Sequence, residues 1–85
     1  MSGSEERIGK IVNYFSRISV AAIQIERDSL SIGDHIRIKG ATTDFTQEIE
    51  SMEIDRAPVN SASKGQDVGI KVKSRVRLND IVYKL

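Results

Sequence analysis

Apolar and polar residues alternate along most of this chain with a period of two, the period of a strand that is buried on one side. The clearest run covers residues 35–39, where Ile36 and Ile38 share one face and charged residues occupy the other. Runs of this kind predict six strands. They cover residues 7–15, residues 18–26, residues 35–39, residues 45–55, a run that contains Val68, Ile70 and Val72, and residues 81–85.

The fourth run changes its apolar phase within its length. Phe45 and Ile49 occupy odd positions, whereas Met52 and Ile54 occupy even ones. A slip of one residue inside a strand is typical of a β-bulge, which bends a strand around the corner of a barrel. We therefore predict a bulged strand over residues 45–55. Pro58 has no N–H to donate, and so it is expected to end the pairing.

Turn-forming residues separate the runs. The segment 27–33 and the polar segment 60–65 are predicted to be loops, and Gly33-Asp34 reads as a turn that starts the third strand. No stretch sustains an apolar stripe of helical period over three turns, and β-branched residues are abundant. Short runs separated by such turns predict an all-β barrel or sandwich.

Length and composition predict a single soluble domain. The chain has 85 residues, of which 39% are hydrophobic and 29% charged. We assign residues 1–6 to a flexible N-terminus and residues 7–85 to one domain. No apolar run is long enough to span a membrane, and the N-terminus does not resemble a secretory signal. With no cysteine in the sequence, we expect a cytoplasmic protein without disulfides or thiolate metal sites.

Charge is polarised along the chain, although the net charge is only +1. Residues 41–63 carry five acidic residues against one basic residue, and residues 64–85 carry six basic residues against two acidic ones. Within the basic half, cations alternate with other residues. On an extended strand they would share one face over about 20 Å. They are Lys71, Lys73, Arg75 and Arg77.

Two interpretations of these cations are open. They could contact successive phosphates of a nucleic acid, or they could form a solvated outer face that discourages aggregation at a sheet edge. Arg37 and Lys39 would extend the same patch if the third and fifth strands lie close together. These six residues are our candidate nucleic-acid-binding residues.

Catalytic and metal sites are not predicted. Glu48, Glu50, Glu53 and Asp55 are expected to be solvated or paired across strands, because general acid–base work needs two carboxyls in different environments. His35 has no second imidazole and no thiolate as a partner, so we predict no metal and no cofactor. Tyr14 and Phe15 have opposite strand phases, so one of the two rings must face away from the core.

Three sequence motifs carry a resemblance to a known group of domains. Residues 30–38, "LSIGDHIRI", resemble the L-x-x-G-D-x-[IV]-x-[IV] motif of the second domain of translational GTPases such as elongation factor Tu. Residues 62–70, "ASKGQDVGI", resemble the next motif of that domain, and residues 79–83 stand at its closing segment without the glycine that the family has there. The pattern is more similar to small stand-alone translation-elongation-factor-like proteins and to the C-terminal barrel of collagenase-like peptidases.

This resemblance implies a small closed six-stranded antiparallel barrel of Greek-key type, the kind found as domain 2 of translation factors. It also implies a non-enzymatic binding module for tRNA, rRNA or a ribosome-associated factor. The sequence has no phosphate-binding G-x-x-x-x-G-K-[ST] motif, so GTPase activity is not carried over. The alternative is a protein-interaction or structural module that serves a partner enzyme such as a collagenase-like peptidase. The oligomeric state is left open.

Overall fold

The computed structural model describes residues 6–85, and every regular element in that range is a β-strand. The prediction of an all-β chain is confirmed. The predicted flexible segment 1–6 lies outside the described residues except for Glu6, which begins the first strand. The strands are β1 (Glu6–Phe15), β2 (Val20–Ile25), β3 (Ser29–Ser31), β4 (His35–Lys39), β5 (Asp44–Glu48), β6 (Met52–Ile54), β7 (Ala57–Pro58), β8 (Ser61–Ser63), β9 (Asp67–Lys71) and β10 (Ile81–Lys84).

All pairings between these strands are antiparallel. Eight strands form one sheet in the order β5-β4-β10-β1-β2-β9-β6-β7, and β3 pairs with β8 in a second, two-stranded sheet. The backbone pairing of the described residues thus leaves β5 and β7 at the two ends of the larger sheet. The closed six-stranded barrel stays a prediction.

The core is built almost entirely from branched aliphatic side chains. One face of each long strand supplies them, as the alternation of the sequence predicts for β2 and β4. Tyr14, Phe45, Ile54 and Val59 are partly buried and pack against this core. The fully buried large side chains are Ile8, Ile11, Ile23, Ile25, Leu30, Ile36, Ile38, Ile49, Val68, Ile70, Val76 and Val82.

Three turns share one arrangement, and each leads directly into a strand. In each, the backbone N–H of the fourth residue donates to the carbonyl of the first over 3.0–3.1 Å. A side-chain oxygen of the fourth residue accepts from the N–H of the first over 2.8–2.9 Å. The third residue has the positive φ that a type II turn requires there. The turns are residues 31–34, 63–66 and 77–80, with Gly33 (φ 98°), Gly65 (φ 91°) and Asn79 (φ 72°) at the third position.

The change of phase within residues 45–55 is a corner and not a bulge. The chain pairs with β4 along β5, leaves that partner at Ile49, and then pairs with β9 along β6. Ile49 is fully buried at the corner, where its backbone N–H bonds the Asp34 carbonyl and its own carbonyl accepts the Gly33 N–H. The predicted single bulged strand is therefore wrong.

Other differences from the predicted strands lie in short elements. The predicted loops 27–33 and 60–65 contain β3 and β8, which pair with each other and bury Leu30 and Ala62. Pro58 is the last residue of the two-residue strand β7, which pairs with β6 and places Pro58 opposite Glu53. In the last strand Val82 is the core residue, whereas Ile81 and Tyr83, which point to the other face, are only partly buried.

Candidate functional site

The four alternating cations of the basic half of the chain all lie at exposed positions: Lys71, Lys73, Arg75 and Arg77. Only Lys71 belongs to a strand, because β9 ends there and residues 72–80 are irregular. The basic segment (residues 71–77) is therefore not the regular extended strand that the alternation predicts. Its role in nucleic-acid binding stays a prediction.

Two buried valines and one glutamine hold the basic segment against the sheet. Val72 and Val76 are buried in the core, and the Val72 N–H donates to the carbonyl of Ser19 over 2.8 Å. The side chain of Gln47 on β5 donates from Nε2 to the Lys71 carbonyl over 2.8 Å. Its Oε1 accepts the N–H of Lys73 over 2.9 Å. One side-chain amide thus makes the pair of hydrogen bonds that a neighbouring strand would otherwise make.

Arg37 and Lys39 do not continue the basic segment. Both lie on β4, and β5 stands between β4 and the basic segment, as the contacts of Gln47 show. The guanidinium of Arg37 binds the carboxylate of Asp44 with two hydrogen bonds, from Nε to Oδ1 over 2.8 Å and from Nη2 to Oδ2 over 2.9 Å. The condition for one continuous patch is thus not met through direct neighbourhood of the two segments, and the role of Arg37 and Lys39 in nucleic-acid binding stays a prediction.

This ion pair changes the titration of Asp44. The hydrogen bonds from Arg37 hold the pKa of the Asp44 carboxyl below its usual range, and the positive charges of Arg37 and Lys39 act in the same direction. Burial opposes them. The pair ties β4 to β5, but its exposure to water limits what it contributes to stability.

The acidic residues fall into two places. Glu48 and Glu50 are exposed at the end of β5 and line one shallow depression with Lys71 and Lys73, so the acidic and basic halves of the chain meet there. Glu53 and Asp55 lie elsewhere, on and just after β6.

Residues 6–85 contain no cluster of three or more His, Cys, Asp or Glu residues that could hold a metal ion. His35 is exposed beside Asp34.

An apolar groove with acidic residues at its edge lies on the outer face of β2, β9 and β6. Its floor is formed by Ala22 and Gly69, which lie directly opposite each other on β2 and β9. Phe15 and Ile18, at the turn between β1 and β2, form its apolar end. The groove encloses about 380 Å³ and is lined by Phe15, Ile18, Val20, Ala22, Glu53, Asp55, Arg56, Asp67, Val68 and Gly69.

Sequence reasoning found one part of this groove and missed the rest. The opposite phases of Tyr14 and Phe15 correctly predict that one ring faces outward, and the structure shows that this ring is Phe15. The floor has a weaker sequence signal. Ala22 and Gly69 are small residues in the outward phase of their strands, and only the register between β2 and β9 reveals that they are neighbours.

The described residues contain no helix that is both long and apolar enough to cross a membrane.

The fold is similar to that of solved peptidase domains. The C-terminal domain of a Geobacillus thermoleovorans protein assigned to the U32 peptidases has a TM-score of 0.86 and 25% sequence identity. The alignment covers 94% of this chain and 92% of that domain. The selenomethionine variant of the same domain has a TM-score of 0.84 at 25% identity, with coverages of 91% and 96%.

The sequence is similar to peptidase relatives over the same region. A collagenase of Porphyromonas gingivalis is 42% identical over 78 residues, which are 91% of this chain and 22% of that protein. An uncharacterized protease of Methanocaldococcus jannaschii is 44% identical over 79 residues, which are 92% of this chain and 19% of that protein. This chain thus spans about a fifth of the length of these relatives. No family model matches it.

These findings confirm one of the predicted resemblances. The homologues are proteins of the collagenase and U32 peptidase type, and the fold matches a C-terminal domain of that type. The resemblance to the second domain of elongation factors gains no support from these relatives and stays a prediction. The class that the fold and the relatives define is therefore an all-β domain similar to the C-terminal domain of U32 peptidases.

Proposed function

We propose that this chain is a non-enzymatic accessory module that binds a peptidase-like protein. One observation carries the proposal. The chain is 42–44% identical to a collagenase and a protease over nearly its whole length, yet it corresponds to only about a fifth of each. The chemistry of those proteins is expected to reside in the remaining four-fifths, because a module of this kind contributes contacts and not reacting groups.

The surface of the chain is suited to contact with a protein. Six large hydrophobic side chains are exposed in the described range, and two of them adjoin the groove. Exposed apolar patches with polar edges are typical of protein interaction sites. The remaining four are Val12, Ile32, Leu78 and Leu85.

The test is affinity purification of the tagged chain from its own cells, with and without nuclease, followed by mass spectrometry. We expect a peptidase-like chain homologous to the other four-fifths of the relatives to be retained after nuclease treatment. If every retained partner is lost after nuclease treatment, the result contradicts the proposal. The tag is placed at either terminus in parallel samples, so that a blocked terminus is recognised.

RNA binding through the basic segment is the competing function. Its cations are exposed, and none of the four forms a salt bridge to another described residue. This exposure is compatible with phosphate contacts, but the relatives are peptidase-related and lend no support to tRNA, rRNA or ribosome partners. The nuclease comparison separates the two functions directly.

A further inference from the structure

The groove on the outer face of β2, β9 and β6 is shaped by two residues that lack large side chains. Ala22 and Gly69 form a cross-strand pair, and Glu53 lies opposite Gly69 on the other side. A Cβ on residue 69 would lie 3.3 Å from the Cγ of Glu53 and 3.3 Å from the Cγ1 of Val20. The groove therefore depends on glycine at residue 69, because a side chain there would press against Glu53 and Val20.

The apolar end of the groove is unusually exposed for its composition. Phe15 is 48% exposed at the end of β1, and Ile18 is 58% exposed within the short turn that joins β1 to β2. Burial of such side chains removes apolar surface from water, so a partner that covers them gains affinity. Aromatic and aliphatic residues in this position are typical anchors of a protein interface.

The opposite end of the groove is acidic. Glu53, Asp55 and Asp67 line it, and none of the three forms a salt bridge to another described residue. Arg56 is the one cation among the lining residues, so the lining retains two net negative charges. A ligand that matches this surface carries a Lys or Arg at the acidic end and an apolar side chain at the other.

The backbone at the acidic end is strained. Asp55 and Arg56 join β6 to β7 and both have positive φ, at 51° and 66°. A two-residue hairpin turn of this kind prefers Asn-Gly or Asp-Gly, and a long side chain with positive φ is disfavoured. Strain of this type tends to occur at functional positions. It supports assigning a binding role to this end of the groove.

We propose that the groove binds an extended segment of the peptidase-like partner. This segment places an apolar side chain against Phe15 and Ile18 and a Lys or Arg side chain against Asp55 and Asp67. The inference rests on the proposed function and adds the surface and the chemistry of the contact. A small-molecule ligand is disfavoured, because the groove is shallow and its polar groups lie at the edge instead of converging inside.

The first test uses synthetic heptapeptides and isotope-labelled protein. The probes are N-acetylated peptides with a central Leu-Thr-Lys, with Leu-Thr-Glu and with Thr-Thr-Lys in the same polar background. We expect saturable binding of the Leu-Thr-Lys peptide alone at concentrations up to about 1 mM. Its NMR shifts should centre on the amides of Ala22, Gly69 and Glu53. Equal binding of the Leu-Thr-Glu peptide, shifts centred elsewhere, or no binding by any probe would overturn the proposal.

The second test fills the groove without touching the core. Ala22→Leu adds bulk on the outer face and is expected to weaken peptide binding at least about tenfold, since anchor contacts dominate such interfaces. Thr46→Leu, an exposed outward position on β5, is the matched control and should leave binding unchanged. Thermal unfolding verifies that both variants fold. An Ala22→Leu variant that folds and binds like wild type would overturn the proposal.

The third test concerns charge and separates this inference from the proposed function. Asp55→Asn with Asp67→Asn should weaken binding of the Leu-Thr-Lys peptide about three- to tenfold at low salt, whereas Glu48→Gln with Glu50→Gln should not. If the wild-type chain retains a peptidase-like partner and Ala22→Leu retains it equally, the groove is not the contact and the proposed function stands. If the wild type retains no such partner, the proposed function itself fails.

Discussion

The buried carboxylate of Asp80 occupies the space that a Cβ on Gly40 would fill. Gly40 follows β4, and Asp80 precedes β10, the strand that pairs with β4. The Oδ2 of Asp80 accepts the N–H of Arg77 over 2.9 Å, and its backbone carbonyl accepts the N–H of Ile11 over 2.8 Å. The absence of a side chain at residue 40 therefore allows the capped turn before β10 to pack against the end of β4.

Replacement of Gly40 by Ala is expected to destabilise the protein by about 2 kcal/mol or more, because the new methyl group displaces the Asp80 carboxylate from its hydrogen bond. Urea denaturation measures the change. In an Asp80→Ala background the same replacement should cost much less, since the clash has been removed. An equal cost in both backgrounds would show that the contact between the two residues is not the cause.

A second prediction concerns the strained turn between β6 and β7. Arg56→Gly is expected to raise the free energy of unfolding by about 1 kcal/mol, because glycine adopts positive φ without the steric penalty. Asn79→Gly is the matched replacement at another positive-φ position and should gain less, since asparagine tolerates this conformation. Chemical denaturation of both variants provides the comparison. A larger gain at residue 79 would contradict the expectation.

The three similar turns explain why the sequence predicts much of the fold. The motifs at residues 30–38 and 62–70 each contain one of these turns and most or all of the strand that follows it, and the motif at residues 79–83 begins at the third residue of the remaining turn. Asn79 has the positive φ that the third position of the turn requires. These turns can be predicted from the sequence because the backbone conformation of a few consecutive residues determines them. The strands β2 and β4 can be predicted because one face of each is buried, which leaves a strict alternation of apolar and polar residues.

The remaining features depend on contacts between residues far apart in sequence. The basic segment alternates like a strand, but the backbone of Val72 and Lys73 bonds a turn and a side chain instead of a ladder. The short strands β3 and β8 are rich in serine, and their pairing with each other makes them strands. The groove exists because the register of β2 and β9 places Ala22 opposite Gly69. None of these contacts leaves a periodic pattern in the sequence.

The third prediction tests the contact between Gln47 and the basic segment. Gln47→Leu removes both side-chain hydrogen bonds to the basic segment and is expected to destabilise the protein by about 1 kcal/mol, since water can replace them only in part. Hydrogen exchange at the Lys73 amide should accelerate at least about tenfold, because this N–H bonds Oε1 of Gln47. Gln24→Leu, at an exposed position on β2, is the matched control and should leave that amide unchanged.

The fourth prediction follows from the lowered pKa of Asp44. A carboxyl whose pKa is depressed in the folded state stabilises the fold above its ordinary pKa of about 3.8, and this contribution is lost as the pH falls through the lower folded value. Arg37→Gln should therefore raise the pKa of Asp44 in an NMR titration. The stability difference from wild type should shrink below about pH 4.

Lys39→Gln serves as the control for this titration. Lys39 contributes only a coulombic effect on Asp44, whereas Arg37 also donates hydrogen bonds to it. The Lys39 variant should thus raise the pKa of Asp44 by less than the Arg37 variant does. A larger rise with Lys39→Gln would show that the ion pair with Arg37 is not the main cause of the depressed pKa.

The last prediction concerns the basic segment and the competing function. If its four cations contacted phosphates, tRNA binding would fall about 50- to 150-fold between 50 and 200 mM salt, and Lys71→Glu with Arg75→Glu would abolish it. The proposed function leads to a different expectation. The double variant should retain the peptidase-like partner as the wild type does, because none of the four cations is among the residues that line the groove. Fluorescence anisotropy with labelled tRNA and nuclease-treated affinity purification, performed on the same two proteins, measure both outcomes. A steep salt dependence that the double variant abolishes, together with loss of the partner after nuclease treatment, would replace the accessory-module function with RNA binding.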